Sequence, residues 1–429
     1  MKVFPGFLCL LLTLRLCGSV PLSGAMPETS TDAGSTSTGS PVTGPLLGDD
    51  DPLPDGQTLR EWRQRMKDLD PKSPQASRQV PGLLAIVENR QVPWFTRRQA
   101  ALMLGRMGAN AREAVPRLIQ LVARPEPATE SAEPPQVWGT KALALFGPMA
   151  KDAVPTLVGQ LRDGDQPLIL RQVSIEALSQ VGGAAPAAVA ALIAILEGHT
   201  DLPAASVGHD SLRELAAEAL GILGAGASPA ELALIRAAES GNDDLRRIAA
   251  DSLGKLGPAA EQALPTLVDL LVLDSSAGVR DAAMLALPKL GPRGTSVLIH
   301  LLDDRDAELR NRAAIALGTA VPAARQALPA LRTALQDDDL QVRLSAAEAL
   351  WKITQNAGPL LSTLLEGLRS EERQQRMQAL RLLTTAGDQA KSAIPELERW
   401  QQDPRIEVRR IAETALKKLR RVNTEVTEP

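Results

Sequence analysis

A three-residue signature returns ten times along the chain: an Arg, a small residue three places on, and a Leu four places after that. It runs Arg97-Ala100-Leu104, Gln136-Gly139-Leu143, Arg171-Ser174-Leu178, Arg213-Ala216-Leu220 and Arg246-Ala249-Leu253. It continues as Arg280-Ala283-Leu287, Arg310-Ala313-Leu317, Arg343-Ala346-Leu350, Arg376-Ala379-Leu383 and Arg409-Ala412-Leu416. The small residue is Ala in eight of ten units, and Gln136 alone interrupts the Arg column. From Arg213 onward the units are 33, 34, 30, 33, 33 and 33 residues apart. A fixed period in this range marks a stacked repeat array, in which each unit covers the apolar face of the next. Such an array has no single core to outgrow, so 429 residues can form one continuous body.

Only 2% of the residues are aromatic and Tyr is absent, which suits narrow helix–helix contacts better than sandwiches or barrels. No stretch sustains the period-2 alternation of a half-buried strand. The expected fold is therefore all-α, an α-solenoid of about ten helical hairpins. In each hairpin the second helix, B, carries the signature. Positions +3 and +7 from the Arg lie one turn apart on the same side, with the small residue admitting a neighbouring helix and the Leu filling the gap beside it. The first helix, A, often opens on an apolar-Pro pair: Val80-Pro81, Val115-Pro116, Val154-Pro155, Leu264-Pro265, Leu328-Pro329 and Ile394-Pro395. Proline fits the first turn, where its missing N–H is not needed. Helix B commonly stops at Gly (Gly108, Gly147, Gly182, Gly224, Gly257, Gly291). Asp243, Asp244, Asp306, Asp338 and Asp339 stand at its start, where the helix dipole favours acids.

These residues resemble a known family. Val279-Arg280-Asp281-Ala282-Ala283, Leu245-Arg246-Arg247-Ile248-Ala249-Ala250 and Val342-Arg343-Leu344-Ser345-Ala346-Ala347 are similar to HEAT repeats, and more narrowly to the short bacterial HEAT-like repeats of phycobilisome lyases. The resemblance covers about residues 77–421. It implies an armadillo-type superhelix and is nearly silent on function, because one repeat type serves many tasks. HEAT arrays also include an enzyme, deoxyhypusine hydroxylase, whose two irons sit on repeated His-Glu pairs. The three His here are followed by Thr200, Asp210 and Leu301, so those ligands are missing.

The ends differ from the array. Residues 1–25 place Lys2 before an apolar run (Phe7 to Leu14) and small residues at Ser23-Gly24-Ala25, the pattern of a secretory signal peptide. Residues 26–57 form a Ser/Thr/Pro/Gly-rich leader expected to be disordered. Residues 58–76 are expected to hold a capping helix, opened by a Thr58…Glu61 capping box and presenting Trp62, Met66 and Leu69. The array then spans 77–421, and 422–429 is a tail. Cleavage after Ala25 would remove Lys2 and Arg15 but no acid. The 47 basic residues become 45 against 51 acidic ones, a net charge of −6. It would also remove Cys9 and Cys17, leaving no thiol for disulfide, nucleophile or metal. An acidic mature chain argues against nucleic-acid binding.

Two repeats carry insertions between helix A and helix B, Arg124 to Pro135 and Gly198 to His209, which emerge on one edge of a solenoid. Three residue groups invite a functional reading. Arg97, Arg171, Arg213, Arg246, Arg280, Arg310, Arg343, Arg376 and Arg409 could clamp an acidic partner. Acids three or four places earlier (Asp210, Asp243, Asp306, Asp339, Glu372) offer internal partners instead, so this ladder reads as structural. His199, Asp201, His209 and Asp210 are ligand types for a divalent metal, but no helical spacing orients them, and they read as exposed loop residues. Trp94, Phe95 and Trp138 beside the first insertion either anchor a partner peptide or fill the core beneath it. No nucleophile elbow, phosphate loop or haem-attachment pair is present. Together these features predict an exported, periplasmic or extracellular, monomeric scaffold. It would bind a protein or peptide without catalysis, cofactor or nucleic acid, and without a membrane span once the signal segment is cleaved, an uncleaved anchor being the alternative. The alternatives from the same residues are a lyase-like enzyme or a structural spacer.

Overall fold

A computed structural model describes residues 46–124, 133–183, 185–199, 207–320 and 323–421. Outside them lie the expected signal segment, residues 26–45 of the leader, most of both insertions including Asp201, and the tail 422–429. The chain divides into Met1–Thr43 and Gly44–Pro429, and the fold is that of the second unit.

The described residues form helices and no strand. Helix α1 (Leu59–Asp68) comes first, and ten A/B pairs follow. The A helices are α2 (Val80–Glu88), α4 (Val115–Ala123), α6 (Val154–Arg162), α8 (Pro186–Leu196), α10 (Glu231–Ser240), α12 (Leu264–Leu273), α14 (Pro292–Leu301), α16 (Leu328–Ala334), α18 (Leu361–Arg369) and α20 (Ile394–Trp400). The B helices are α3 (Trp94–Met107), α5 (Pro135–Phe146), α7 (Leu168–Val181), α9 (Val207–Leu223), α11 (Asp243–Leu256), α13 (Ala277–Ala286), α15 (Ala307–Thr319), α17 (Leu340–Thr354), α19 (Arg373–Ala386) and α21 (Ile406–Arg421). Contacts between elements run almost wholly within a pair or to the adjacent pair, as a solenoid requires.

Local chemistry sets the helix ends. All six apolar-Pro pairs start an A helix, with the apolar residue first and Pro second. Gly108, Gly147, Gly257 and Gly387 end B helices at φ between 52° and 68°, a region open to Gly at no steric penalty. Gly291 behaves differently. α13 ends early at Ala286 because Pro288 has no N–H to continue the helix, and a short 3₁₀ turn carries the chain to Gly291.

Each B helix touches the B helices before and after it, whereas successive A helices lie farther apart. Four glycines make the close approach possible, each eight places after its Arg: Gly105, Gly221, Gly254 and Gly318. A Cβ on Gly254 would sit 2.8 Å from both Cα and Cβ of Ala286, and one on Gly318 would sit 3.0 Å from Cα of Ala349. On Gly105 it would meet the Ala142 carbonyl oxygen at 2.7 Å, and on Gly221 the Cα of Ser252 at 3.0 Å. The small residue at +3 is buried in nearly every unit but is not the point where successive B helices meet most tightly.

The N-terminal end is closed as the capping box predicts. Glu61 N–H donates to Thr58 Oγ1 at 3.3 Å, and Thr58 N–H donates to Glu61 Oε2 at 2.8 Å. Leu59, Trp62 and Met66 are buried, while Leu69 is only half-buried. Residues 46–57 depart from the expected disorder. Leu53 is buried, Leu47 N–H donates to the Gln91 carbonyl at 2.8 Å, and Trp62 Nε1 donates to Asp55 at 2.9 Å. Leu47 and Leu53 give this stretch enough apolar surface to fold onto the cap, while Leu46 stays exposed. The segments Gly208–Ser240 and Asp243–Leu273 are long and apolar enough to cross a membrane by length and composition, but each is a B–A junction of the array joined through a 3₁₀ turn.

Candidate functional site

The Arg ladder is a set of internal caps. Arg97, Arg171 and Arg213 donate from Nε to the carbonyls of Val87, Leu161 and Leu196, in the last turn of their own A helices. Arg246, Arg280, Arg310, Arg343, Arg376 and Arg409 donate from a terminal nitrogen to the carbonyls of Gly241, Asp274, Asp304, Asp337, Ser370 and Asp403, at or just past the A-helix end. A cation here satisfies orphan carbonyls and complements the negative end of the helix dipole. Gln136, the break in the column, keeps the role: its Nε2 donates to the Arg124 carbonyl, just past the end of α4, at 3.3 Å. The donor geometry matters more than the charge at that unit.

The acids that pair with the ladder differ from those expected. Of the five, only Asp243 bonds its Arg, Arg246, at 3.0 Å. Asp306 and Asp339 instead cap helix N-termini, accepting from Glu308 N–H and from Gln341 and Val342 N–H. Asp210 lies 3.5 Å from His209 Nδ1. The main partners come from the following repeat. Asp274 accepts from Arg246 through both oxygens at 2.8 and 3.0 Å, and Asp337 does the same for Arg310 at 2.8 Å. Asp338 also accepts from Arg310, at 2.7 Å, and Glu366 pairs with Arg343. The Arg246 guanidinium holds the Asp274 carboxyl below its ordinary pKa, against the opposing effect of burial.

The aromatic candidates separate. Trp138 is fully buried with Arg97 over its ring at 5.5 Å, so it fills the core and cannot anchor a partner. Phe95 is 48% exposed and lies under the Arg63 guanidinium at 4.8 Å, with Trp94 edge-on at 6.2 Å. Of the histidine group, His199 is exposed, but His209 is buried rather than on the surface as expected, because it lies within α9 rather than in the loop. Asp201 lies outside the described residues. Among the described residues no three His, Cys, Asp or Glu gather as a metal would need.

A groove that the sequence did not single out opens on the B row of repeats seven to ten, with a volume of about 740 Å³. It is lined by α15, α17 and α19, with Lys418 of α21 at its end. A polar chain crosses its floor. Gln341 Nε2 donates to Gln378 Oε1 at 2.9 Å, and Gln378 Nε2 donates to Glu348 Oε2 at 3.0 Å. Arg381 reaches the same oxygen at 2.9 Å, and Lys352 reaches Oε1 at 3.0 Å. Burial raises the pKa of Glu348, but Lys352, Gln378 and Arg381 outweigh it and hold the carboxyl below its ordinary value. Beside this chain Ile315 and Met377 remain 38% and 51% exposed. The legible sign was the position five after each Arg. There Leu285, Ile315, Glu348 and Arg381 stand on the uncovered side of otherwise buried helices.

The sequence profile described as HEAT repeats matches residues 202–288 and 295–362. These stretches are HEAT repeats. They include the ladder from Arg213 to Arg343 and part of the groove, so capping Arg and B-row glycines belong to the HEAT units themselves. No curated protein matches the chain. Among solved structures, one describing Kap95p binding to RanGDP aligns with 86% of this chain at 14% identity, TM-score 0.47, and this chain spans 52% of its length. The CpcE–CpcF complex of phycocyanin lyase from Nostoc sp. PCC7120 aligns with 36% of this chain and 98% of its own at 27% identity, TM-score 0.28. YibA of Escherichia coli aligns with 69% of this chain and 99% of its own at 20% identity, TM-score 0.35.

Proposed function

We propose that the HEAT array is an exported, non-catalytic scaffold that binds a protein or peptide partner through the groove on the B row of repeats seven to ten. The groove itself carries this reading: an open channel with a hydrogen-bonded polar floor and two uncovered aliphatic side chains, Ile315 and Met377. Repeat arrays characteristically use such extended surfaces for binding. The one carboxylate in its wall, Glu348, already accepts from Lys352, Gln378 and Arg381, which suits it to fixing those side chains. Export rests on the Lys2, Phe7–Leu14 and Ser23-Gly24-Ala25 pattern.

Photo-cross-linking from position 377 in the full-length chain, expressed in its own host, tests the binding role. A discrete adduct from position 377, absent from a control at the exposed A-row position Arg332, is the expected result. Equal labelling from both positions overturns it. N-terminal sequencing of the chain recovered from the extracytoplasmic fraction checks export, with a new terminus following Ala25 expected.

A further inference from the structure

We infer that the groove on α15, α17 and α19 receives an extended acidic segment bearing aliphatic side chains, an inference that rests on the groove being the binding surface. Charge balance is the first support. The charged side chains lining it are Glu348, Lys352, Arg381 and Lys418. Glu348 is already engaged by Lys352 and Arg381. One acid against three bases leaves the groove cationic within a chain of net charge −4. Arg381 keeps 66% of its side chain in solvent, and Lys418 is also exposed, so both remain accessible to an incoming carboxylate.

The change along the B row is the second support. Five places after each Arg, repeats three to five present Glu176, Glu218 and Asp251. Repeats six and seven present the exposed Leu285 and Ile315, repeat eight presents Glu348, paired with Lys352 and Arg381, and repeat nine presents Arg381. An acidic ligand therefore meets carboxylates over repeats three to five, of which Asp251 is paired with Lys255 and Lys289, and meets uncompensated positive charge only at the groove, with an apolar step between. Successive helices stand about 10 Å apart, and an extended chain advances about 3.3 Å per residue. One ligand side chain in roughly three would face each B helix. Gln378 Nε2 has a second amide hydrogen beyond the one it donates to Glu348, a donor for a peptide C=O group. A single-stranded nucleic acid would instead stack its bases on aromatic rings, and the lining side chains are aliphatic, amide, hydroxyl and charged.

Fluorescence anisotropy with the full-length chain tests the inference. The probes are labelled twelve-residue peptides: one of Leu and Glu with Ser spacers, one with Lys for every Glu, and one with Ser for every Leu. A twelve-nucleotide single-stranded DNA is the fourth. The acidic aliphatic peptide is expected to bind at least tenfold more tightly than the other three. Arg381→Glu with Lys418→Glu should weaken it at least tenfold, and Met377→Asp should do likewise, with unchanged circular dichroism because all three positions are exposed. Equal binding of the Lys peptide or the DNA overturns the inference, as does an unaffected charge-reversed variant or no binding by any probe. A position-377 adduct obtained alongside such a result would leave the groove as the binding surface and discard only its acidic, aliphatic occupant.

Discussion

At the residue scale, the Arg column is a capping device, and its strength depends on what the next repeat supplies. Arg246 and Asp274 form a bidentate pair in which the Asp274 side chain is only 5% exposed. Arg246→Ala leaves that carboxylate with only the Ser276 N–H as a donor and uncaps α10, and should destabilise by about 3 kcal/mol in urea titration. Arg376, which caps only with carbonyls, should lose about 1 kcal/mol. Because the folded-state pKa of Asp274 is depressed, its contribution is fully present above the unfolded value near 4 and disappears as pH falls through the folded value. The urea midpoint should therefore drop on acidification, and Asp274→Asn should flatten that limb. Glu176 has the opposite sign. Burial raises its pKa, so ionisation weakens the fold as pH rises through the folded value. Glu176→Gln should raise the midpoint at pH 7 and make no difference at pH 3. That the ladder is structural was legible from its regularity, but the carbonyls it caps and its acid partners were not. Asp274 lies 28 residues from Arg246, and only the stacking of one hairpin on the next joins them.

At the element scale, sequence punctuation set the helices closely: apolar-Pro pairs start A helices and Gly stops many B helices. What it did not expose was which small residue governs the distance between B helices. Gly254→Ala would place a methyl 2.8 Å from the Ala286 backbone and should lower stability by about 1–3 kcal/mol by thermal or urea unfolding. Gly159, an exposed mid-helix residue of α6 where an added methyl would meet no atom within 4 Å, is the control. Gly159→Ala should stabilise by about 1 kcal/mol. Opposite signs for two helical glycines would locate the constraint at the B-row contact. Equal effects would remove it.

At the scale of the molecule, each hairpin leans on its neighbours, so damage should stay local. Trp62→Ala opens the cap over the first repeats, where Trp62 presses on Gly82. Hydrogen exchange should accelerate in α2 and α3 while α11 to α17 keep their protection, whereas uniform acceleration would mean a single cooperative core. Helix α21, the last described, exposes Lys417, Lys418 and Arg420, of which Lys418 lines the groove and Arg420 pairs with Glu398 of α20. Light scattering across a hundredfold range of protein concentration should give a single monomer mass.

The sequence by itself determined the architecture. A signature repeated at near-constant spacing can bury its apolar face only by stacking, and helix starts and stops are written in local backbone chemistry that needs no distant partner. Only the tertiary structure decided what the surface became. It drew Trp138 and His209 inward, brought Asp274 to Arg246, and aligned Gln341, Glu348, Gln378 and Arg381 from neighbouring helices into one groove. Those juxtapositions depend on the register and spacing between hairpins, which the packing of B helix against B helix fixes and no single repeat encodes.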